Sequence, residues 1–192
     1  MARTVTYGGA VSLDGFLADA DGALDWLIFS PDVQAVMADY WKNVDAILMG
    51  RKTYEFAAAQ ARPARKAKPS TRKAASPGST KAPAMRTYVC SRTMTSIDDP
   101  AAELVRDAVP FVRDLKQRPG GRICLMGGGE LAQSLLAAGL VDEVGLNIHP
   151  ILLGSGVPVF RDAGRRIGLT LTECRQIAGG CVLANFKVTA PA

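Results

Sequence analysis

The stretch that most constrains this chain is Arg122 to Met126, a short apolar run that passes without a break into Gly127-Gly128-Gly129. Leu131, Leu135, Leu136 and Leu140 then recur at helical spacing, so the segment reads as strand, glycine turn and amphipathic helix. A buried strand that hands over directly to a helix is the repeating unit of an α/β sheet. The rest of the chain follows the same alternation. Thr4 to Val11 is β-prone and ends in the turn Ser12-Leu13-Asp14-Gly15. Ser30-Pro31-Asp32 opens a helix, with Ser30 as N-cap, Pro31 at the first helical position and Asp32 at the positive end of the dipole. Val33, Val36, Met37, Tyr40 and Trp41 then predict a buried stripe.

Asp45 to Met49 is a second buried strand, ending at Gly50-Arg51-Lys52-Thr53, with a short helix through Tyr54 and Phe56 beyond it. Thr87 to Cys90 closes on Ser91-Arg92-Thr93, Glu103 to Val105 is a short strand, and Val109 to Gln117 is a helix stopped by Pro119-Gly120-Gly121. Val144 to Ile148 is a strand, followed by the loop Pro150 to Pro158. The chain ends in a hairpin, Gly168 to Ile177 and Cys181 to Val188, turning at Gly179-Gly180. These elements predict one α/β domain over residues 1–192, its sheet mostly parallel with an antiparallel edge.

Charge is unevenly distributed. The chain carries 23 Lys+Arg and 18 Asp+Glu, a net charge of +5. Arg62, Arg65, Lys66, Lys68, Arg72, Lys73, Lys81 and Arg86 fall together with no acid among them, and without these eight the remainder is net −3. A domain basic on every side, the usual footprint of nucleic-acid binding, is therefore excluded. The segment 61–84 has recurring prolines and no apolar periodicity, which predicts a long loop or tethered disordered insertion. No apolar run approaches the roughly 18 residues of a membrane helix, and a soluble cytoplasmic protein is expected. Cys90, Cys124, Cys174 and Cys181 form no CxxC pair and have no histidine at ligand spacing, so no metal site is expected and the thiols read as reduced. Cys174 and Cys181 flank the Gly179-Gly180 turn, where they could face each other.

The glycine turn carries the first hint of chemistry. N–H groups at a helix N-terminus point outward unpaired, the dipole favours an anion there, and glycines leave room for a phosphate. The competing interpretation is a tight turn that binds nothing. The spacing is not GxGxxG, and there is no P-loop lysine. Two further strand ends, Gly50-Arg51-Lys52-Thr53 and Ser91-Arg92-Thr93, add guanidinium and hydroxyl groups suited to a ligand with several phosphates. His149, the sole histidine, reads as a hydrogen-bonded structural residue.

Ser12-Leu13-Asp14-Gly15, Met49 to Tyr54, Cys90 to Thr93, Met126 to Gly129 and Gly139 to Glu143 through Pro158-Val159-Phe160 occur in that order. Together they resemble the dihydrofolate reductase-like family, in particular its branch related to the C-terminal reductase domain of riboflavin biosynthesis. The resemblance spans about residues 3 to 188 and lapses over the basic insertion. It implies a three-layer α-β-α domain with an eight-stranded, mostly parallel sheet and an antiparallel C-terminal hairpin. It further implies an NADPH-dependent oxidoreductase acting on a pteridine- or pyrimidine-like small molecule, as a homodimer. By matching positions, Arg51, Ser91 and Arg92 would take the 2′-phosphate, Lys52 would lie near the phosphates, and Gly50 and Met126 would also be cofactor-binding. Thr53 and Gly127 to Leu131 (Gly128, Gly129 and Glu130 between them) would hold the pyrophosphate. Ala10, Leu17 and Ala18 would line the nicotinamide, and the basic insertion would lie on the adenosine side. Asp14 and Asp32 are the candidate carboxylates for orienting a substrate. The alternative function is a polyanion- or nucleic-acid-binding module that uses the basic segment 61–86 on a reductase-like scaffold.

Overall fold

A computed structural model describes residues 3–61 and 85–189. Its elements are β1 (Val5–Ser12), β2 (Phe16–Ala18), α1 (Pro31–Trp41), β3 (Val44–Gly50), α2 (Arg51–Ala61), β4 (Arg86–Cys90) and β5 (Ala102–Val105). These are followed by α3 (Ala108–Gln117), β6 (Arg122–Met126), α4 (Glu130–Ala137), β7 (Glu143–His149), β8 (Val157–Pro158), β9 (Gly168–Ile177) and β10 (Cys181–Thr189). Eight strands form one sheet in the order β5-β4-β3-β6-β1-β7-β10-β9. The six from β5 to β7 are mutually parallel, and β10 and β9 add antiparallel at one edge.

Alternation along the strands splits the core into two layers. On one face Tyr7, Leu48, Ile123 and Leu125 meet Val112 and Leu115 of α3 and Leu135 and Leu136 of α4. On the other, Ile47, Met49, Val89 and Cys124 meet Tyr40 and Trp41 of α1 and Tyr54 of α2. Helices therefore cover both faces, and the three-layer architecture is the one expected. Each fully enclosed side chain of this kind contributes about 1.5–3 kcal/mol. Arg3 enters the same framework by pairing with Asp45, whose carboxylate also accepts from Gly121 N–H at 2.7 Å.

Helix α1 departs from its expected burial. Ser30 caps it by accepting from Val33 N–H at 3.2 Å, but of the stripe only Val33 is buried, and Met37 is 44% exposed. Val33 packs with Ile28, Ile177 and Cys181 at the hairpin, while Tyr40 and Trp41 reach the β3 side. Between those anchors the sheet offers Gly8, Ala10 and Gly145, side by side on one face. Such small residues leave the middle of α1 with little to pack on.

Two short strands, β2 and β8, form a separate antiparallel ribbon where the sequence suggested only loops; at three and two residues they are too short to show a period. The hairpin turns at Gly179 and Gly180, both at positive φ (91° and 76°), as expected. Its register sets Cys181 opposite Ile177 and Cys174 opposite Ala184, so the two cysteines do not face each other. Residues 62–84, nearly all of the basic insertion, lie outside the described residues, and the polyanion reading with them. Met85 leads into β4 at the start of that strand, the edge of the sheet opposite the strand ends after Gly50, Cys90 and Met126. Among the described residues no helix is long and apolar enough to cross a membrane, and no cluster of His, Cys, Asp and Glu could hold a metal.

Candidate active site

Three neighbouring strands, β4, β3 and β6, end level with one another, with Gly50 beside Cys90 and Met49 beside Met126. Ser91-Arg92, Arg51-Lys52-Thr53 and Gly127-Gly128-Gly129 thus leave the sheet in a row. Strands lie about 4.8 Å apart, so the row spans about 10 Å. Ligands of open α/β sheets gather at this carboxyl edge.

The glycines are fitted to their surroundings. Gly127 has φ +84°, and a Cβ there would overlap Oγ1 of Thr53. A Cβ on Gly128 would lie 2.8 Å from Leu17 Cδ1 and 2.9 Å from Pro158 O, so the β2–β8 ribbon presses on the loop. Gly129 caps α4 with no side-chain hydrogen bond, which leaves the first-turn N–H groups of that helix without a side-chain acceptor. Arg161 brings its Nε to 3.6 Å from the Cβ position of Gly129. The loop therefore brings a helix N-terminus, a hydroxyl and a guanidinium together.

The remaining expected residues divide into two groups. Leu17 covers Gly128, Ala18 is buried on β2, and Ala10 pairs with Asn147 in the sheet. Met126 packs into the second core layer, Leu131 against the first, and Glu130 opens α4 exposed to solvent. Lys52 is exposed on α2, and Arg92 is exposed with no side-chain partner among the described residues. Arg51 instead holds Glu55 one turn along α2, at 2.9 and 3.0 Å. Ser91 is buried, its hydroxyl accepting from the N–H groups of Thr93 (3.3 Å) and Met94 (3.0 Å), which shapes the turn that presents Arg92.

Both candidate carboxylates engage backbone amides. Asp14 accepts from the Ser12 hydroxyl at 2.6 Å and from the N–H groups of Gly154 (2.7 Å) and Leu153 (3.2 Å), tying two loops together. The Ser12 hydrogen bond, with those two amides, holds its carboxyl below the usual range. Asp32 accepts from Ala178 N–H at 3.0 Å and so fixes α1 to the hairpin turn.

His149 is structural, as its position suggested. It is 1% exposed, its Nδ1 accepts from Ile28 N–H at 3.2 Å, and Trp26 stands edge-on with ring centroids 5.3 Å apart. Burial pushes its pKa down, favouring the neutral ring. With Nδ1 accepting, the ring proton sits on Nε2, and the Asn147 amide at 3.1 Å must turn its oxygen toward it.

Sequence reasoning missed two arginines. Arg161 carries no periodicity or motif, only a position 32 residues beyond the loop it serves. Arg106 donates to Ser91 O at 3.2 Å and to Met94 O, bracing the Arg92 turn.

A family model for the RibD C-terminal domain matches residues 3–183. The chain belongs to that family. The Bacillus subtilis (strain 168) protein YyaP, itself uncharacterized, is 36% identical over 180 residues, covering 94% of this chain and 92% of YyaP. Among solved structures, a candidate riboflavin biosynthesis protein of Shewanella sp. PV-4 superposes with a TM-score of 0.76 at 24% identity, covering 99% of this chain and 100% of that one. Dihydrofolate reductase from Enterococcus faecalis, complexed with NADP(H), gives a TM-score of 0.66 at 11% identity, again over 99% and 100% of the two chains. The fold of this RibD C-terminal domain is thus the dihydrofolate reductase-like one, and family and fold together point to an oxidoreductase.

Proposed function

We propose that the protein is an NADPH-dependent reductase that delivers hydride to a pteridine- or pyrimidine-like small molecule. The observation that carries this reading is the glycine cradle: three glycines whose Cβ positions are blocked or open onto Arg161, at the start of α4 and beside Thr53. A nicotinamide dinucleotide would supply the hydride. The α4 N–H groups, Thr53 and Arg161 would hold its pyrophosphate, since backbone donors and a helix dipole favour an anion there. Arg92, with Lys52 and Arg51 near it, would take a 2′-phosphate, and the planar fork of arginine suits a phosphate monoester. Arg51 would have to release Glu55 to take part.

Ala10 and Leu17 would bound the nicotinamide end. The substrate would lie beside Ala10, on the same face of the sheet as the side-chain-free positions Gly8 and Gly145. Catalysis there rests on holding two flat groups at reacting distance in a dry space. Asp14 and Asp32, engaged as they are with loop amides, would act by fixing the loops and helix on which they sit.

Titration of the full chain with NADPH and NADH, followed by nicotinamide fluorescence, tests the reading. NADPH should bind at least about tenfold tighter than NADH, and Arg92→Ala should remove most of that preference. Absence of NADPH binding at millimolar concentration would overturn it.

A further inference from the structure

The loop that leads from β8 to β9 runs along α4 and is fastened to it at both ends. Arg161 lies against Gly129, just before the first turn, its Nε 3.6 Å from the Cβ position of that glycine. Arg165 donates to Leu136 O at 3.2 Å in the last turn, and between them the Gln133 amide donates to Asp162 O. A cavity of about 330 Å³ lies between this loop, α4, β7 and the start of β9. Its floor is apolar. Leu136 and Val144 are buried there, while Phe160 and Leu169 stand in its walls at 42% and 45% exposure. Tyr7 meets Phe160 edge-on with ring centroids 5.9 Å apart, so that wall is fixed in place.

The charged lining is unbalanced. Arg161 and Arg165 both border the cavity, and neither pairs with an acid among the described residues. Asp162 is the one acid in the lining, and it accepts from Gly164 N–H at 2.7 Å, which leaves the lining at a net charge of +1. A solvated surface arginine needs no partner, but here two of them flank apolar side chains that themselves lack cover. Apolar walls with a few placed polar groups are what small-molecule sites are made of, and a guanidinium selects an anion. Size narrows the ligand further. At about 30 Å³ per water the cavity holds the volume of about eleven waters, or about ten non-hydrogen atoms, far too little for a dinucleotide. Arg161 is turned toward the glycine loop, so Arg165, with one of its N–H groups on Leu136 O, is the cation free to receive a carboxylate.

We infer that this cavity is a binding site for a small organic anion with an apolar body, of the class of medium-chain carboxylates. The body lies against Leu136, Val144, Phe160 and Leu169, and the carboxylate meets the Arg165 guanidinium. The site is separate from the glycine loop and independent of the reductase reading.

Calorimetric titration of the full chain with octanoate, below the concentration at which it forms micelles, should show one site with a dissociation constant of about 1 mM or tighter. Octanol, which has the body without the charge, and acetate, which has the charge without the body, should each bind at least about tenfold more weakly. Methyl-resolved NMR of the wild type should place the octanoate shifts on Leu136, Val144 and Leu169. Arg165→Gln keeps an N–H donor for Leu136 O and removes the charge, so it should weaken octanoate about fivefold or more and leave octanol unchanged. Leu169→Trp, at an exposed strand position, should fill the mouth of the cavity and abolish octanoate binding. Circular dichroism checks that both variants fold, and the wild-type methyl shifts decide the location without them. No octanoate binding at about 10 mM, equal affinity for octanol, shifts confined to other residues, or folded variants that bind as the wild type does would each overturn the site.

Discussion

At Gly127 the backbone is left-handed, with φ +84°, and the space that a side chain would need is held by Thr53 Oγ1. Both costs fall on any other residue there: about 1–2 kcal/mol for the backbone and a further amount for the overlap. Gly127→Ala should therefore lower the unfolding free energy by about 1–3 kcal/mol and weaken NADPH binding. Thr53→Ala in the same chain relieves the overlap but not the backbone, so a double-mutant cycle should give a coupling of about 0.5–3 kcal/mol. Strictly additive effects, measured by denaturant unfolding, would show that the two residues do not share that space. The glycine run was legible in the sequence because three consecutive glycines between a strand and a helix have few other uses. Arg161 and Arg106 were not legible, since a lone arginine in a loop has no signal until the fold brings it to the site.

The longer elements were legible for the same reason the core exists: a short apolar run such as Ile123 to Leu125, bounded by glycines, has the pattern of a strand buried on both faces. Helix α1 shows where that logic stops. Its apolar spacing is real, yet the sheet beneath its middle is built of Gly8, Ala10 and Gly145, and a sequence does not reveal what faces a helix. The chain entering α1 depends instead on His149, whose Nδ1 accepts from Ile28 N–H. The groups around the ring are Asn147, the Trp26 indole and Cys181, whose Sγ is 3.6 Å from Nδ1 and whose thiol burial keeps protonated. None of them is charged to stabilise an imidazolium. In the unfolded chain a histidine titrates near 6.5, and in the folded protein lower. Below pH 6.5 the unfolded state takes up the proton first, so this stability is full above that pH and is lost as pH falls toward the depressed folded value. The thermal midpoint should decline between pH 7 and pH 5, and His149→Gln, which keeps an acceptor but not the titration, should flatten the decline. Parallel curves for the two proteins at constant ionic strength would rule out the histidine as its source.

At the scale of the whole molecule, the net charge and the fold are separable. β3 and β4 are parallel neighbours, and the chain must return from Gly50 to the level of Ala46, where Arg86 begins β4. That return is about 13 Å along the sheet, and the eleven residues of α2, about 16 Å long, cover it. The sideways step from the helix layer to the sheet is about 10 Å, which three or four extended residues can span. Residues 62–84 far exceed that need, and they carry seven cations and no acid. Replacing them with six Gly and Ser residues would change the net charge from +5 to −2 while leaving the crossover able to close. The shortened protein should keep its thermal midpoint within a few degrees, and its NADPH affinity should stay within about twofold, because the chain rejoins β4 at the edge opposite Arg92 and Gly127. Retention of the intact protein on a polyanionic column should disappear with the segment, since attraction of that kind follows the number of neutralised phosphate or sulfate charges. Loss of NADPH binding in a shortened protein that still folds would mean that the segment reaches around the sheet to the cofactor. A shortened protein that is still retained would place the polyanion contact on the acidic body instead, which its charge balance argues against.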